Sequence, residues 1–286
     1  MNGDVVHRVG FVGLGDQGGP MAVAITGAGF SLHAWARSPR SYDAISDVPF
    51  ERHADLASLA ANVDVLALCL RDDQDIDDLI EHNRLVEAVR PGSVVVNHGT
   101  GDPKQNERFG VLFAGRDVAY LDAPVSGGRL GAIAHALTTI VGGDQAAFER
   151  CKPVFESFSR KVAHMGPVGT GQLTKLLNNA LTMTNLKNAA DVFDLARRLG
   201  IDLPLFQDVI AVSSGSSAIL QAIGTQIDTH AAGHLRGLMR KDIQHFADAV
   251  RDRGLDPSAL FNRGLSGADN VVDLVTKLQR PLSSAA

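Results

Sequence analysis

The sequence predicts a doubly wound parallel α/β domain followed by an all-α domain. Three observations predict it. Short β-branched runs alternate with helical stretches through the first half of the 286 residues, a glycine triplet directly follows the first run, and beyond Gly169 the strand signal gives way to long stretches with helical apolar spacing. A chain of this length exceeds the size at which one hydrophobic core usually stops growing, so we divide it into domains at 1–166 and 167–286.

Residues 9–12, 31–36, 63–70, 93–97 and 119–122 read as strands, and the stretches 21–28, 72–82 and 104–114 between them as helices. Strict alternation implies parallel strands joined by right-handed crossovers. Two further apolar runs, 137–141 and 162–164, extend the same sheet. Gly166, Pro167 and Gly169 then cluster between the two regimes and mark the boundary. The stretches 172–199 and 241–253 carry helix formers at helical spacing, and the tail 281–286 is small and polar.

Composition narrows the function classes. Hydrophobic residues make up 45% and charged residues 21%, so most of the chain is able to bury itself. The formal charge of -5 provides no broad basic field, which argues against nucleic acid or an anionic membrane surface as partner. The run 63–70, interrupted only by Asp64, is too short to cross a bilayer and suits a buried strand. No secretory apolar core opens the chain, so a cytoplasmic protein is expected, with Cys69 and Cys151 reduced and acting as small hydrophobes. The ten histidines show no HExxH or comparable spacing, so no metal is expected.

Gly13, Gly15 and Gly18 form a GxGxxG directly after the first strand and before the first helix. In that setting the first glycine permits a tight turn, the second admits a pyrophosphate, and the third lets helix pack on strand. An NAD enzyme usually carries an acid at the end of the second strand, to accept from the ribose 2′-hydroxyl. Here the chain reads Trp35-Ala36-Arg37-Ser38-Pro39-Arg40, where a guanidinium and a hydroxyl suit a 2′-phosphate. NADP is therefore preferred, with NAD possible. The alternative reading of Arg37 and Arg40 is a solvated loop.

Four segments carry a wider resemblance. Gly13-Leu14-Gly15-Asp16-Gln17-Gly18-Gly19-Pro20-Met21-Ala22 resembles the GLGxMGxPMA loop of the β-hydroxyacid dehydrogenases, with Gln17 where Met is usual. Asp122-Ala123-Pro124-Val125-Ser126-Gly127-Gly128 is similar to their substrate loop without a change. The stretch from Gly169 through Lys175 to Asn179 resembles the start of their catalytic helix, and Lys241-Asp242 their late Lys-Asp pair.

The resemblance implies an N-terminal Rossmann doubly wound domain and an all-α C-terminal domain joined by a long helix, with a site in the cleft between them, in a homodimer or homotetramer. It makes Lys175 the proton-transfer residue and gives Ser126, Gly127, Gly128, Asn179 and Lys241 to a small carboxylate substrate. The dinucleotide set comprises Gly13, Leu14, Gly15, Asp16, Gln17, Gly18, Arg37, Ser38, Leu70 and Thr100, with Lys241 on the nicotinamide side. From the residues themselves, Ser126 and its following amides suit a carboxylate or form a plain turn. Thr100 either meets the cofactor or caps the next helix. Lys175 and Asn179, four apart, share one face of a helix.

The chain departs from the family pattern at several positions. Asn97-His98-Gly99-Thr100 lacks the usual Ser before Thr, His135 stands where Gly is typical, and His234 stands where Phe is typical. Neither His135 nor His234 is read as an acid or base. The expected reaction is hydride transfer between a nicotinamide and a small β-hydroxyacid or semialdehyde acid, with Lys175 moving the proton. Two alternatives remain. An imine reductase would carry another residue at position 175 and lack the Asp122–Gly128 loop, and a non-catalytic NADP-binding module would bind cofactor without turnover.

Overall fold

The computed structural model describes residues 6–223 and 226–279, so the small polar tail lies outside the described residues. The chain divides into two compact units, Met1–Lys175 and Leu176–Ala286. In the first, one sheet contains β1 (Arg8–Val12), β2 (Ser31–Trp35), β3 (Glu51–Arg52), β4 (Val65–Leu68), β5 (Val94–Asn97), β6 (Ala119–Asp122), β7 (Val125–Ser126), β8 (Leu137–Gly143) and β9 (Ser159–Gly166). Its order is β3-β2-β1-β4-β5-β6-β8-β7, with β9 paired to β8.

The strands β1 to β6 pair in parallel throughout. Strands β4 and β5 are buried along their whole length, as a sheet covered on both faces requires. Alternate side chains feed two cores. Val9 and Phe11 of β1 join Met21, Ile25 and Phe155 on one face, while Val12 joins Leu59, Phe109 and Phe113 on the other. The strand order reverses between β1 and β4, and ligands of such sheets bind at the carboxyl ends of the strands flanking that reversal.

One expectation needs correction. Strand β8 runs antiparallel to β6 and β7, although the alternation implied parallel pairing. A parallel return needs a crossover over the sheet face. Between β6 and β8 the chain makes only β7 and the short helix Gly128–Ile133, so it folds back along the same edge.

The helix Thr170–Arg198 is continuous, and the division between the units falls inside it. Beyond it lie Leu203–Ala211, Ala218–Ala222, Thr229–Arg251 and Ser258–Gln279. Met183, Leu186, Phe193, Phe246, Val271 and Leu274 are among the buried residues of this unit. Among its described residues the sole β feature is an isolated bridge between Ile223 and Ile227. No helix of the described residues is long and apolar enough to cross a membrane.

Candidate active site

The glycine loop leaves β1 at the strand reversal. Gly13 has φ of +95°, and a Cβ there would collide with the carbonyl of Cys69, so the first turn requires glycine. A Cβ on Gly18 would run into the Gly13 carbonyl, whereas the space over Gly15 is open. The helix Gly18–Gly27 that follows has no side-chain cap at Gln17 and no acid in its first turn. Its N–H groups and dipole therefore suit an anion approaching over Gly15, and the loop fits a dinucleotide pyrophosphate.

Leu70 sits at the end of β4, between this loop and the one after β5. The Cys69 amide donates to Val12 O (2.8 Å) and the His98 amide to Leu68 O (2.7 Å), which brings the carboxyl ends of β1, β4 and β5 together. A Cβ at Gly99 would approach Leu70 O to 2.7 Å. Glycine at this position permits that close contact. Asp102, not Thr100, caps the helix Pro103–Ala114, its carboxylate accepting from Lys104 N.

At the end of β2, the Ala36 amide donates to Tyr42 Oη at 3.0 Å. Arg37 donates to Asp75 Oδ1 at 3.1 Å, and Arg71 binds the same carboxylate. Asp75 is buried while both arginines are largely exposed. Burial pushes its carboxyl up, but the Arg71 and Arg37 contacts outweigh that and hold it below the ordinary value. The two guanidiniums share this carboxylate, and Asp72 acts on Arg71 as well. Sequence reasoning missed Asp75 and Arg71, because both come from the region following β4 and no local pattern links them to Arg37. Ser38 precedes the 3₁₀ helix Pro39–Ile45 without capping it through its side chain.

A second network fixes the start of the helix bearing Lys175. Asp122, fully buried at the end of β6, accepts from Gly169 N (2.8 Å) and Gln172 N (2.7 Å). A carboxylate at that helix start satisfies orphan amides and complements the dipole. Burial pushes the Asp122 carboxyl up to about 7, against backbone donations from Gln172, Gly169 and Gly171 that favour its charged form. Gln172 donates to Gly99 O (2.8 Å) and accepts from Gly101 N (2.9 Å). The loop carrying Thr100 and the first turns of the helix are thus tied together, and Lys175 is buried one turn further on. Here too sequence reasoning missed the roles of Asp122 and Gln172, which lie inside quoted motifs but whose contacts span 47 to 73 positions.

Ser126 ends β7, and Gly127 and Gly128 follow with φ of +133° and +62°. Arg129, next along, donates to Asp16 O at 3.4 Å, joining this segment to the glycine loop. In the second unit Asn179 donates to Asp242 Oδ2 (2.8 Å), and Lys241 Nζ lies 3.8 Å from Asp242 Oδ1. Asp242 therefore serves both expected substrate residues of that unit.

The histidine departures resolve separately. His98 is buried edge-on between Phe155 and Phe158, with Nδ1 bonded to Ala123 O and Nε2 without a partner. Burial lowers it to about 4, so it is a neutral core group. His135 is exposed with φ of +53°, and His234 is exposed on the helix Thr229–Arg251. Cys151 is buried and Cys69 partly so, and burial pushes both thiols up to about 12.

The family model for the NAD binding domain of 6-phosphogluconate dehydrogenase matches residues 8–166. A second, described as NAD-binding of NADP-dependent 3-hydroxyisobutyrate dehydrogenase, matches residues 169–260. The chain belongs to the β-hydroxyacid dehydrogenase family and is an NAD(P)-dependent oxidoreductase acting on CH–OH groups. Among its relatives, the NAD-dependent L-serine dehydrogenase of Pseudomonas aeruginosa is 30% identical over 217 residues, covering 76% of this chain and 73% of the relative. The 2-hydroxy-3-oxopropionate reductase of Escherichia coli is 30% identical over 243 residues, 82% of each chain. The solved structure of Psf3 in complex with NADP+ and 2-OPP is 25% identical with a TM-score of 0.79, covering 93% of this chain and 94% of that one.

Proposed function

We propose that the chain interconverts a small β-hydroxyacid and its aldehyde or keto acid using NADP(H), with Lys175 moving the proton. The bound nicotinamide supplies or accepts the hydride. In oxidation the neutral Lys175 amine takes the hydroxyl proton, and in reduction its ammonium returns a proton to the carbonyl oxygen. Ser126 with the amides of Gly127 and Gly128 holds the substrate carboxylate, Asn179 orients the reacting group, and Lys241 adds positive charge on the nicotinamide side. Gly13 to Gly18, Leu70 and Thr100 contact the dinucleotide.

The observation that carries this reading is the burial of Lys175 on a helix whose start Asp122 and Gln172 fasten to the Gly99–Gly101 loop. A buried amine held in register with a cofactor-side loop suits proton transfer better than a solvated surface role. The preference for NADP is supported by the exposed Arg37 just beyond β2, in an Ala36-Arg37-Ser38 stretch that carries no acid. A homodimer or homotetramer is supported by exposed apolar side chains along one helix, Leu177, Leu181, Val192 and Leu195 among them. Light scattering that returned a monomer mass would reject that assembly.

Lys175→Ala should lose about 10²–10⁴ in kcat yet still bind NADP, because the dinucleotide is held by other residues. Lys175→Arg should also be poor, since a guanidinium stays protonated. The measurement pairs kcat on a panel of small 3-hydroxyacids and semialdehydes with NADP binding by fluorescence titration. A Lys175→Ala enzyme within about threefold of wild type, with chemistry rate-limiting, would assign the proton to another group.

A further inference from the structure

At the outer edge of the sheet, away from the strand ends that form the dinucleotide loop, three potential ligands converge. His33 on β2 is the register partner of Glu51 on β3, and the His53 amide donates to Ala34 O at 3.0 Å, continuing that pairing. Glu51 and His53, two apart on an extended chain, point to the same side. His33 Nδ1 lies 3.0 Å from His53 Nε2, and each of these nitrogens lies 3.6 Å from a Glu51 oxygen. Both rings are buried, while the Glu51 side chain is 65% exposed.

We propose that His33, Glu51 and His53 form a binding site for a divalent cation of the zinc type, with water as fourth ligand. Zinc binds imidazole nitrogen and carboxylate oxygen at about 2.0–2.1 Å, so tetrahedral ligands lie roughly 3.3–3.4 Å apart. The 3.0 Å between the two imidazole nitrogens and the 3.6 Å from each to one of the two Glu51 oxygens lie on either side of that value. Two imidazoles and one carboxylate suit zinc and its late first-row neighbours rather than magnesium or calcium. The nearby Arg8 guanidinium is engaged by Asp64 at 3.1 Å.

The outer nitrogens have partners as well. His53 Nδ1 lies 2.9 Å from Ser58 Oγ and His33 Nε2 lies 3.3 Å from Ser31 Oγ. Metal-bound histidines characteristically donate their second N–H to such a group, which fixes ring orientation. A hydroxyl both donates and accepts, so the same serines also satisfy the metal-free pair, in which one ring donates to the other. The cation would clamp a two-residue edge strand, β3, onto β2. From there Arg52 lies over the Tyr42 ring at 4.5 Å, and Tyr42 Oη accepts from Ala36 N beside Arg37.

The experiment is titration of the chelator-treated full chain with Zn²⁺, following heat and Tm, and with Co²⁺, following visible d–d absorption. The expected result is one equivalent bound per chain, a Tm that rises with Zn²⁺, and a four-coordinate Co²⁺ spectrum. His33→Gln and Glu51→Gln should abolish that equivalent, the second at an exposed position where folding is not at stake. Ser58→Ala should weaken binding about 10–100-fold while keeping the stoichiometry. Absence of a saturable single equivalent, or wild-type binding in both His33→Gln and Glu51→Gln, would overturn the site and leave only adventitious binding by other histidines.

Discussion

The segments around Asp122 and around Arg37 are both organised by a buried aspartate, yet they are built from opposite materials. Asp122 is surrounded by backbone: its partners are the amides of Gly169 and Gln172, fixed in place by the helix they begin. Asp75 is surrounded by side chains: Arg37 and Arg71 reach it from solvent and are 63% and 79% exposed. Backbone amides cannot leave when their acceptor is lost, whereas exposed guanidiniums simply rehydrate. The first arrangement therefore belongs to the framework, and the second to the surface.

The sharpest way to break this comparison is Asp122→Ala. It strands two buried N–H groups at 1–3 kcal/mol each, so a loss of about 2–6 kcal/mol in unfolding free energy is expected. Because the same carboxylate seats the helix carrying Lys175, kcat should fall even in the fraction that stays folded. Chemical denaturation together with kcat per folded enzyme measures both. A stability change below about 1 kcal/mol would mean that water replaces the carboxylate and that the network is not structural.

His98 extends the framework side of the comparison, because its burial between Phe155 and Phe158 is a stability statement with a pH dependence. Its folded value of about 4 lies below the ordinary 6.5, so the unfolded chain takes up the proton first as pH falls. The contribution is complete above pH 6.5 and is lost progressively down to about pH 4, amounting to about 3 kcal/mol. Asp122, raised to about 7, works in the opposite direction over much of this window. The measurement is therefore the difference between wild type and His98→Phe: the variant should lack the His98 share of the acid loss. Parallel pH curves would show that His98 titrates normally.

For the exposed arrangement, Arg37→Ala should raise the NADP KM about tenfold or more, the 1.5–3 kcal/mol of one charge-assisted contact, while barely moving NAD. Its effect on Tm should be small, since exposed ion pairs contribute little. An equal effect on both cofactors would show that Arg37 serves only to neutralise Asp75.

What the sequence made legible follows the same division. The strand and helix alternation, the Gly13–Gly18 loop and the switch to an all-helical regime are periodic or contiguous, so the sequence carries them directly. The partners of Asp122, Gln172 and Arg37 were not legible, because each is set by strand order rather than spacing. The cluster of His33, Glu51 and His53 shows this most clearly: a search for helical ligand spacing finds nothing, yet pairing of β2 with β3 brings the three together. Strand β3, two residues long, offers too short a pattern to be read.

The smallest effect is expected at His135, where the chain carries a side chain in a position the family gives to glycine. The helix Gly128–Ile133 ends there in a Schellman arrangement: Ala136 N donates to Gly131 O at 2.8 Å and His135 N to Ala132 O at 3.2 Å. That motif needs a left-handed residue at its centre, and His135 meets the need with φ of +53°. A non-glycine residue there costs about 1–2 kcal/mol. Replacement by glycine removes that strain but gives the unfolded chain more freedom, which costs back about 0.4–1 kcal/mol. His135→Gly should therefore gain about 0.5–1 kcal/mol, read as a small rise in Tm with kcat and both cofactor KM values unchanged. A loss of stability would mean that the exposed imidazole makes a favourable contact worth more than the strain, and a change in KM would tie this helix end to the Ser126–Gly128 segment that precedes it.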